Sequence, residues 1–165
     1  MYDHVIWPEK YDPKISSIYA LNDIDVKAPA ELVWKMLVDA TNWAKHFPPE
    51  DQVEILSGET ELALGTKFHR VTVGYPMTSI FTEFVPGRRL AWVATVDGDE
   101  TGSAAYHGWV ITPTEDGCHV LTEETQQGYF WLELIGRKHP GGLFRYHQGW
   151  VEGLARTAEG SPAKR

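Results

Sequence analysis

Two histidines and a glutamate have the types and the spacing to do acid–base chemistry: His107, Glu124 and His147. His107 lies in the alternating stretch Ala105 to Pro113 and Glu124 in the stretch Cys118 to Gln126, joined through Thr114, Glu115, Asp116 and Gly117. A hairpin closed by that loop sets Pro113 opposite Cys118, Ile111 opposite Val120, Trp109 opposite Thr122 and His107 opposite Glu124. Directly opposed Cβ atoms lie about 4.5 to 5.5 Å apart, within reach of an imidazole–carboxylate hydrogen bond. Such a pair reads as a general base oriented by a carboxylate, poised near neutrality to remove a proton next to a carbonyl. It reads equally as a cross-strand polar pair that satisfies itself. His147 adds either a second acid/base group or a satisfied core histidine. By type the three suit a metal ion, but nothing in their spacing requires one, and no metal is assigned.

These residues need elements to carry them. At 100° per residue, the stretch Leu143 to Ala158 puts Arg145, Gln148, Glu152 and Arg156 on one side of a helix and Leu143, His147, Trp150 and Leu154 on the other, with Tyr146 on the flank. An imidazole at the centre of a buried stripe implies that the helix faces a hollow. Alternation predicts a first strand over Ile18 to Val26, and Pro29 with Leu32, Val33, Met36 and Leu37 predicts a helix, followed by a short turn from Asn42 to Phe47. Six more extended segments follow: Val53 to Ser57, Lys67 to Val73, Met77 to Val85, Arg89 to Val96 and the two of the hairpin. The fold class is therefore α+β, a curved seven-stranded antiparallel sheet around a long C-terminal helix, with two short helices between strands 1 and 2.

Phasing the turn at Pro86 pairs Phe84 with Leu90, Thr82 with Trp92 and Ile80 with Ala94, and carrying the phase onward pairs Arg70 with Ile80 and Phe68 with Thr82. On this register Arg70, Thr82, Trp92, Trp109, Leu143, Tyr146 and Trp150 wall a ligand space, with Arg70 as anchor for an anionic or carbonyl oxygen. His4, His46, His119 and His139 fall on the arm, loops and outer face and take no role. Residues 1–16, with Pro8 and Pro13, form an irregular arm able to pack Val5, Ile6 and Trp7 on the body; closure over the pocket and a homodimer contact are both open to it. Residues 17–158 make the domain and 159–165 a loose tail. The dense apolar run from Tyr129 to Ile135 is either a lid or a packed helical turn.

Composition removes several function classes. A formal charge of -8 without a Lys/Arg cluster opposes nucleic acid. No apolar run approaches the roughly 20 residues of a membrane span, and the start has no signal-peptide pattern. Cys118 is the lone cysteine, which suits a cytoplasmic location.

The order of IDVKAPAELVWKMLVDATNWAKHF, SGETELALGTKF, EFVPGRRLAW, WVITPTEDGCHVLTEET and HQGWVEGLAR resembles the SRPBCC superfamily, the helix-grip fold of START and birch-pollen-allergen-like proteins, over residues 17 to 158. The group resembled is that of the polyketide cyclases/dehydrases. The resemblance implies a deep, mostly apolar cavity between sheet and C-terminal helix, and no single chemistry. Two functions are expected from it: cofactor-independent cyclisation or dehydration (lyase or isomerase chemistry) of an aromatic or polyketide-like compound, with His107 and Glu124 assisted by His147 or Arg70; or a non-catalytic carrier, sensor or sequestering protein for a hydrophobic ligand.

Overall fold

The computed structural model describes residues 1–50, 52–58, 62–72 and 74–160, with the side chain of Leu134 excepted. Val73, the expected end of one strand, and the expected loose tail from 161 onward lie outside the described residues. Seven antiparallel strands form one sheet: β1 (Ile18–Val26), β2 (Glu54–Ile55), β3 (Lys67–Thr72), β4 (Tyr75–Val85), β5 (Arg89–Val96), β6 (Ala104–Thr114) and β7 (Gly117–Gln127). Their order is β1-β7-β6-β5-β4-β3-β2, so the six later strands run as a meander and β1 pairs with the last of them. Helix α1 (Ala30–Val38), a 3-10 turn (Ala40–Lys45) and a shorter one (Pro48–Glu50) separate β1 from β2, and α2 (Gly142–Gly160) closes the fold. Glu159 and Gly160, expected in the tail, extend α2. Among the described residues no helix is long and apolar enough to cross a membrane.

The stripe on α2 buries His147, Trp150 and Leu154, as its period requires. Trp150 enters a cluster of rings from both sides of the fold. Its ring centroid lies 5.1 Å from those of Trp43 and of Trp109, and Trp43 in turn stacks on Trp92 at 5.7 Å. Edge-to-face and offset contacts of this kind add about 0.5–1.5 kcal/mol each beyond the burial of the rings.

Two local features correct the expected register. A bulge between Phe81 and Glu83 sets Phe81, not Thr82, opposite Trp92, and Ser79, not Ile80, opposite Ala94. The phenyl ring thereby enters the core beside Phe68 and Trp92, and Thr82 is turned out to solvent. A tighter turn at Gly74, which has φ +84°, pairs Thr72 with Tyr75 and so Arg70 with Met77 rather than Ile80, and Phe68 with Ser79 rather than Thr82. Both features shift β4 and leave β3 in phase, so Arg70 still points inward.

The arm, with 3-10 turns at Glu9–Tyr11 and Pro13–Ile15, crosses the outer face of the sheet. Val5 is buried there with Tyr106, Val110 and Leu121, Trp7 packs partly buried beside them, and Ile6 is exposed. The Val5 N–H donates to Glu123 at 2.8 Å, and a Cβ at Gly108 would meet Val5 Cγ2 at 2.6 Å, so the glycine makes room for the arm.

Gly153 of α2 lies against the His46 backbone: a Cβ there would stand 2.1 Å from the His46 carbonyl oxygen. Gly→Ala inside a helix ordinarily stabilises by about 0.5–1 kcal/mol; here overpacking of about 1–3 kcal/mol reverses the sign. Gly153→Ala is expected to lower the melting temperature, and a rise would show that the approach is not rigid. Nearby, Nε2 of buried His46 accepts the Trp150 indole N–H at 3.2 Å. Burial depresses the His46 pKa to about 4, against a smaller opposing effect of Asp39. The unfolded chain, titrating near pH 6.5, therefore binds the proton first, and stability is full above about pH 6.5 and falls toward pH 4 by at most about 1.4 kcal/mol per pH unit. Denaturant titrations at pH 7 and pH 5 should show a smaller acid loss in His46→Gln than in the parent.

Candidate functional site

Where the ring cluster ends, the space between α2 and the sheet opens into a cavity of about 610 Å³. That volume falls in the range of small-molecule sites. Met77, Ala94, Trp92, Trp131 and Ile135 supply apolar wall, and Arg70, His107, Glu124, Tyr146 and His147 supply the polar floor. Of the expected ligand contacts, Arg70, Trp92, Leu143 and Tyr146 line this cavity, whereas Trp109 and Trp150 are fully buried in the ring cluster and Thr82 is on the outside. Trp109 and Trp150 lie deeper because Trp150 of α2 packs directly on Trp109 of the sheet. The Tyr129–Ile135 run is a π-helix over Phe130–Gly136; it buries Phe130 and Trp131 in the core and turns Trp131, Leu132 and Ile135 to the cavity, combining packed turn and cover.

β6 and β7 deliver His107 and Glu124 to directly opposed positions, as the hairpin register predicted. His107 Nδ1 lies 3.2 Å from Glu124 Oε2, and His147 Nε2 reaches the same oxygen at 3.0 Å from α2. Glu124 Oε1 accepts from Gln126 at 2.8 Å. The two imidazoles stack, with centroids 4.4 Å apart and planes inclined by 20°.

Thr122 decides the state of His107. Its hydroxyl donates its only proton to the Gly108 carbonyl at 3.0 Å, so at 2.7 Å it can only accept from His107 Nε2–H. The neutral ring must then carry a bare lone pair at Nδ1, and that buried atom has no hydrogen-bond partner among the described residues. The orienting group is thus the Thr122 hydroxyl, where a carboxylate was expected. The expected poise near neutrality is also overturned: burial, then the charges of His147 and Arg70, hold the His107 pKa well below its ordinary value.

Sequence reasoning missed Glu50. It comes from the Pro48–Glu50 turn, is 1% exposed, and lies 2.9 Å from Arg70 while accepting the Tyr146 hydroxyl. Its only sequence signal is a carboxylate following two prolines that end an apolar turn. Burial opposes the Arg70 charge, but Glu50 and Glu124 outweigh it and the pKa rises. The guanidinium rests 5.5 Å from the Trp92 ring centre and 5.9 Å from that of Trp150, and Arg70 Nε has no hydrogen-bond partner among the described residues. Burial and Glu50 likewise push Tyr146 up.

Among the described residues, His107, Glu124 and His147 are the group whose ligand atoms, all within 4.8 Å of one another, fit a metal ion by type. Their geometry suits it poorly. Metal-bound imidazoles aim in-plane lone pairs at one ion about 2 Å away, and two stacked, nearly parallel rings cannot do so without rotating. The arrangement instead offers acceptors and one shared carboxylate to a ligand in the cavity.

The sequence pattern of the family described as polyketide cyclase/dehydrase and lipid transport matches residues 22–158. No curated protein matches the chain. Among solved structures, a hypothetical protein of Helicobacter pylori, jhp0584, superposes with a TM-score of 0.86 at 22% identity, covering 96% of this chain and 98% of that one. The di-domain ARO/CYC protein StfQ of the steffimycin biosynthetic pathway gives 0.68 at 13% identity over 86% of this chain and 50% of that chain. Ara h 8.0201 gives 0.66 at 12% identity over 87% and 99%. These likenesses concern the fold, the helix grip that the sequence motifs led us to expect.

Replacing Thr122 by valine removes the acceptor for Nε2–H. In ¹⁵N-detected spectra His107 should be the Nε2–H tautomer in the parent and lose that preference in Thr122→Val; an Nδ1–H ring in the parent would refute the assignment.

Proposed function

Because the chain belongs to the polyketide cyclase/dehydrase and lipid transport family, we propose that it binds a small hydrophobic, aromatic or polyketide-like molecule beneath α2 and catalyses a cofactor-independent proton transfer of the cyclisation/dehydration type. The observation that carries this reading is the meeting of His107 Nδ1, Glu124 Oε2 and His147 Nε2 on the floor of an otherwise apolar cavity. In a dehydration, a ligand carbonyl oxygen rests against the free Arg70 Nε–H. The Nδ1 lone pair of His107 takes the proton from the adjacent carbon, a double bond forms, and His147, entering the step as the imidazolium, gives a proton to the departing hydroxyl, which leaves as water, and returns to the neutral ring. The imidazolium developing on His107 meets Glu124 at 3.2 Å, so charge is stabilised as it forms. Glu124, touching both rings, returns the proton from one to the other. The low pKa of His107 keeps it deprotonated at neutral pH while limiting its strength as a base.

That weakness favours a second reading, a non-catalytic carrier or sensor in which the same atoms only hydrogen-bond the ligand. A cytoplasmic setting accords with both readings and with the buried thiol of Cys118, pushed up to about 11 by burial.

Native mass spectrometry of the purified protein should reveal a retained small molecule and its class. With that compound or an analogue as substrate, His107→Ala and Glu124→Gln are expected to lower turnover by about 10² to 10⁴-fold while ligand affinity changes far less. Turnover unaltered in both variants excludes the acid–base mechanism, and an affinity change without any turnover in the parent selects the carrier.

A further inference from the structure

The charges along the cavity are not distributed evenly. Its floor gathers acceptor atoms: Glu124 Oε2 and the His107 Nδ1 lone pair, with the nearest cation, Arg70, already paired to Glu50. Its mouth has the opposite character. There the lining is Arg137, His139 and Arg145 with the glycines and apolar side chains between them, and the carboxylate among the described lining residues, Glu124, belongs to the floor. This is unusual in a chain with 23 acidic and 15 basic residues. Arg137 is held by Glu133 at 2.8 Å, but Arg145 makes no side-chain hydrogen bond or ion pair among the described residues, and neither does His139. The first turn of α2, Gly142 to Arg145, lines the same mouth, and the amide end of a 19-residue helix carries the positive half of its dipole.

We propose that the ligand is an amphipathic anion: a ring-bearing apolar body that enters the cavity and a carboxylate, phosphate or similar anionic group that stays at the mouth against Arg145 and His139. This deepens the reading of the cavity as a hydrophobic-ligand site and rests on it. The orientation follows from electrostatics. An anionic group carried to the floor would meet acceptor atoms and lose its hydration, whereas at the mouth it keeps contact with water and faces donors on a flexible Arg stem. The charge of Arg145, which no carboxylate among the described residues pairs, also attracts an anion locally against the repulsion of a chain carrying a charge of -8. The polar end of the ligand is thereby kept away from His107, and a neutral oxygen of the body is what reaches Arg70.

Two dyes differing by one sulfonate group test this: 1-anilinonaphthalene-8-sulfonate and its uncharged parent N-phenyl-1-naphthylamine, titrated by fluorescence at low ionic strength. Ala94→Phe, which fills the cavity wall, serves as control that both occupy the cavity. The parent protein is expected to bind the sulfonate more tightly by about three- to tenfold, an advantage that shrinks as salt is raised through about 0.5 M. In the double variant His139→Gln/Arg145→Gln the advantage should vanish while affinity for the uncharged dye is retained. Equal affinity for the two dyes in the parent, or an advantage that survives the double variant, overturns the anionic end and leaves the hydrophobic cavity standing. Failure of either dye to bind in a manner sensitive to Ala94→Phe overturns both.

Discussion

The packing of Trp150 against Trp43 and Trp109 is the contact on which the rest depends. Four indoles and the phenyl rings of Phe47, Phe68 and Phe81 pack together around Trp150, under the middle of α2. Rigid rings set the distance between helix and sheet. Under the first turns of α2 smaller side chains, Ala20, Met77 and Ala94, face the helix, and a hollow remains. Gly153 and His46 serve the same contact from the other side: one allows the close approach, and the other takes the only indole proton that Trp150 has to give.

The ring cluster also bounds the charged groups of the floor. Arg70 is confined between the faces of Trp92 and Trp150, with its charge met by Glu50 from a distant turn. Leaving such a charge without its partner would cost about 3–5 kcal/mol, so Glu50, Arg70 and Tyr146 act as a fixed unit. Beside it stand His107 and His147 sharing one carboxylate. Burial keeps His107 deprotonated, and a hydroxyl chooses which nitrogen faces the cavity. A site built this way has its hydrogen-bond directions set before any ligand arrives, which is the condition for orienting one.

The opposite face of the sheet takes no part in this. Tyr106, Val110 and Leu121 alternate with the cavity-facing residues of the same strands and are covered by the arm, whose Val5 fits over Gly108. None of residues 1–16 lines the cavity, so the arm seals the outside of the hairpin that carries His107 and Glu124 and does not close the pocket.

Local chemistry alone determined the hairpin. A tight turn leaves one register, and alternation leaves one inward face, so His107 opposite Glu124 and His147 on the buried stripe of α2 were legible in the sequence. So were the sheet, the grip of α2 and the inward phase of Arg70. What the sequence did not determine rests on contacts between distant segments. The bulge at Thr82 exists because Phe81 packs on Phe68 and Trp92, and no local rule places that bulge. Glu50 comes from an irregular turn without period and finds Arg70 only when the chain is folded. Thr122 was placed inward, but its role depends on one hydroxyl proton being claimed by Gly108. Whether tryptophans line a hollow or fill it is a question of volume, and only the tertiary structure could assign Trp92 to the wall and Trp109 and Trp150 to the core.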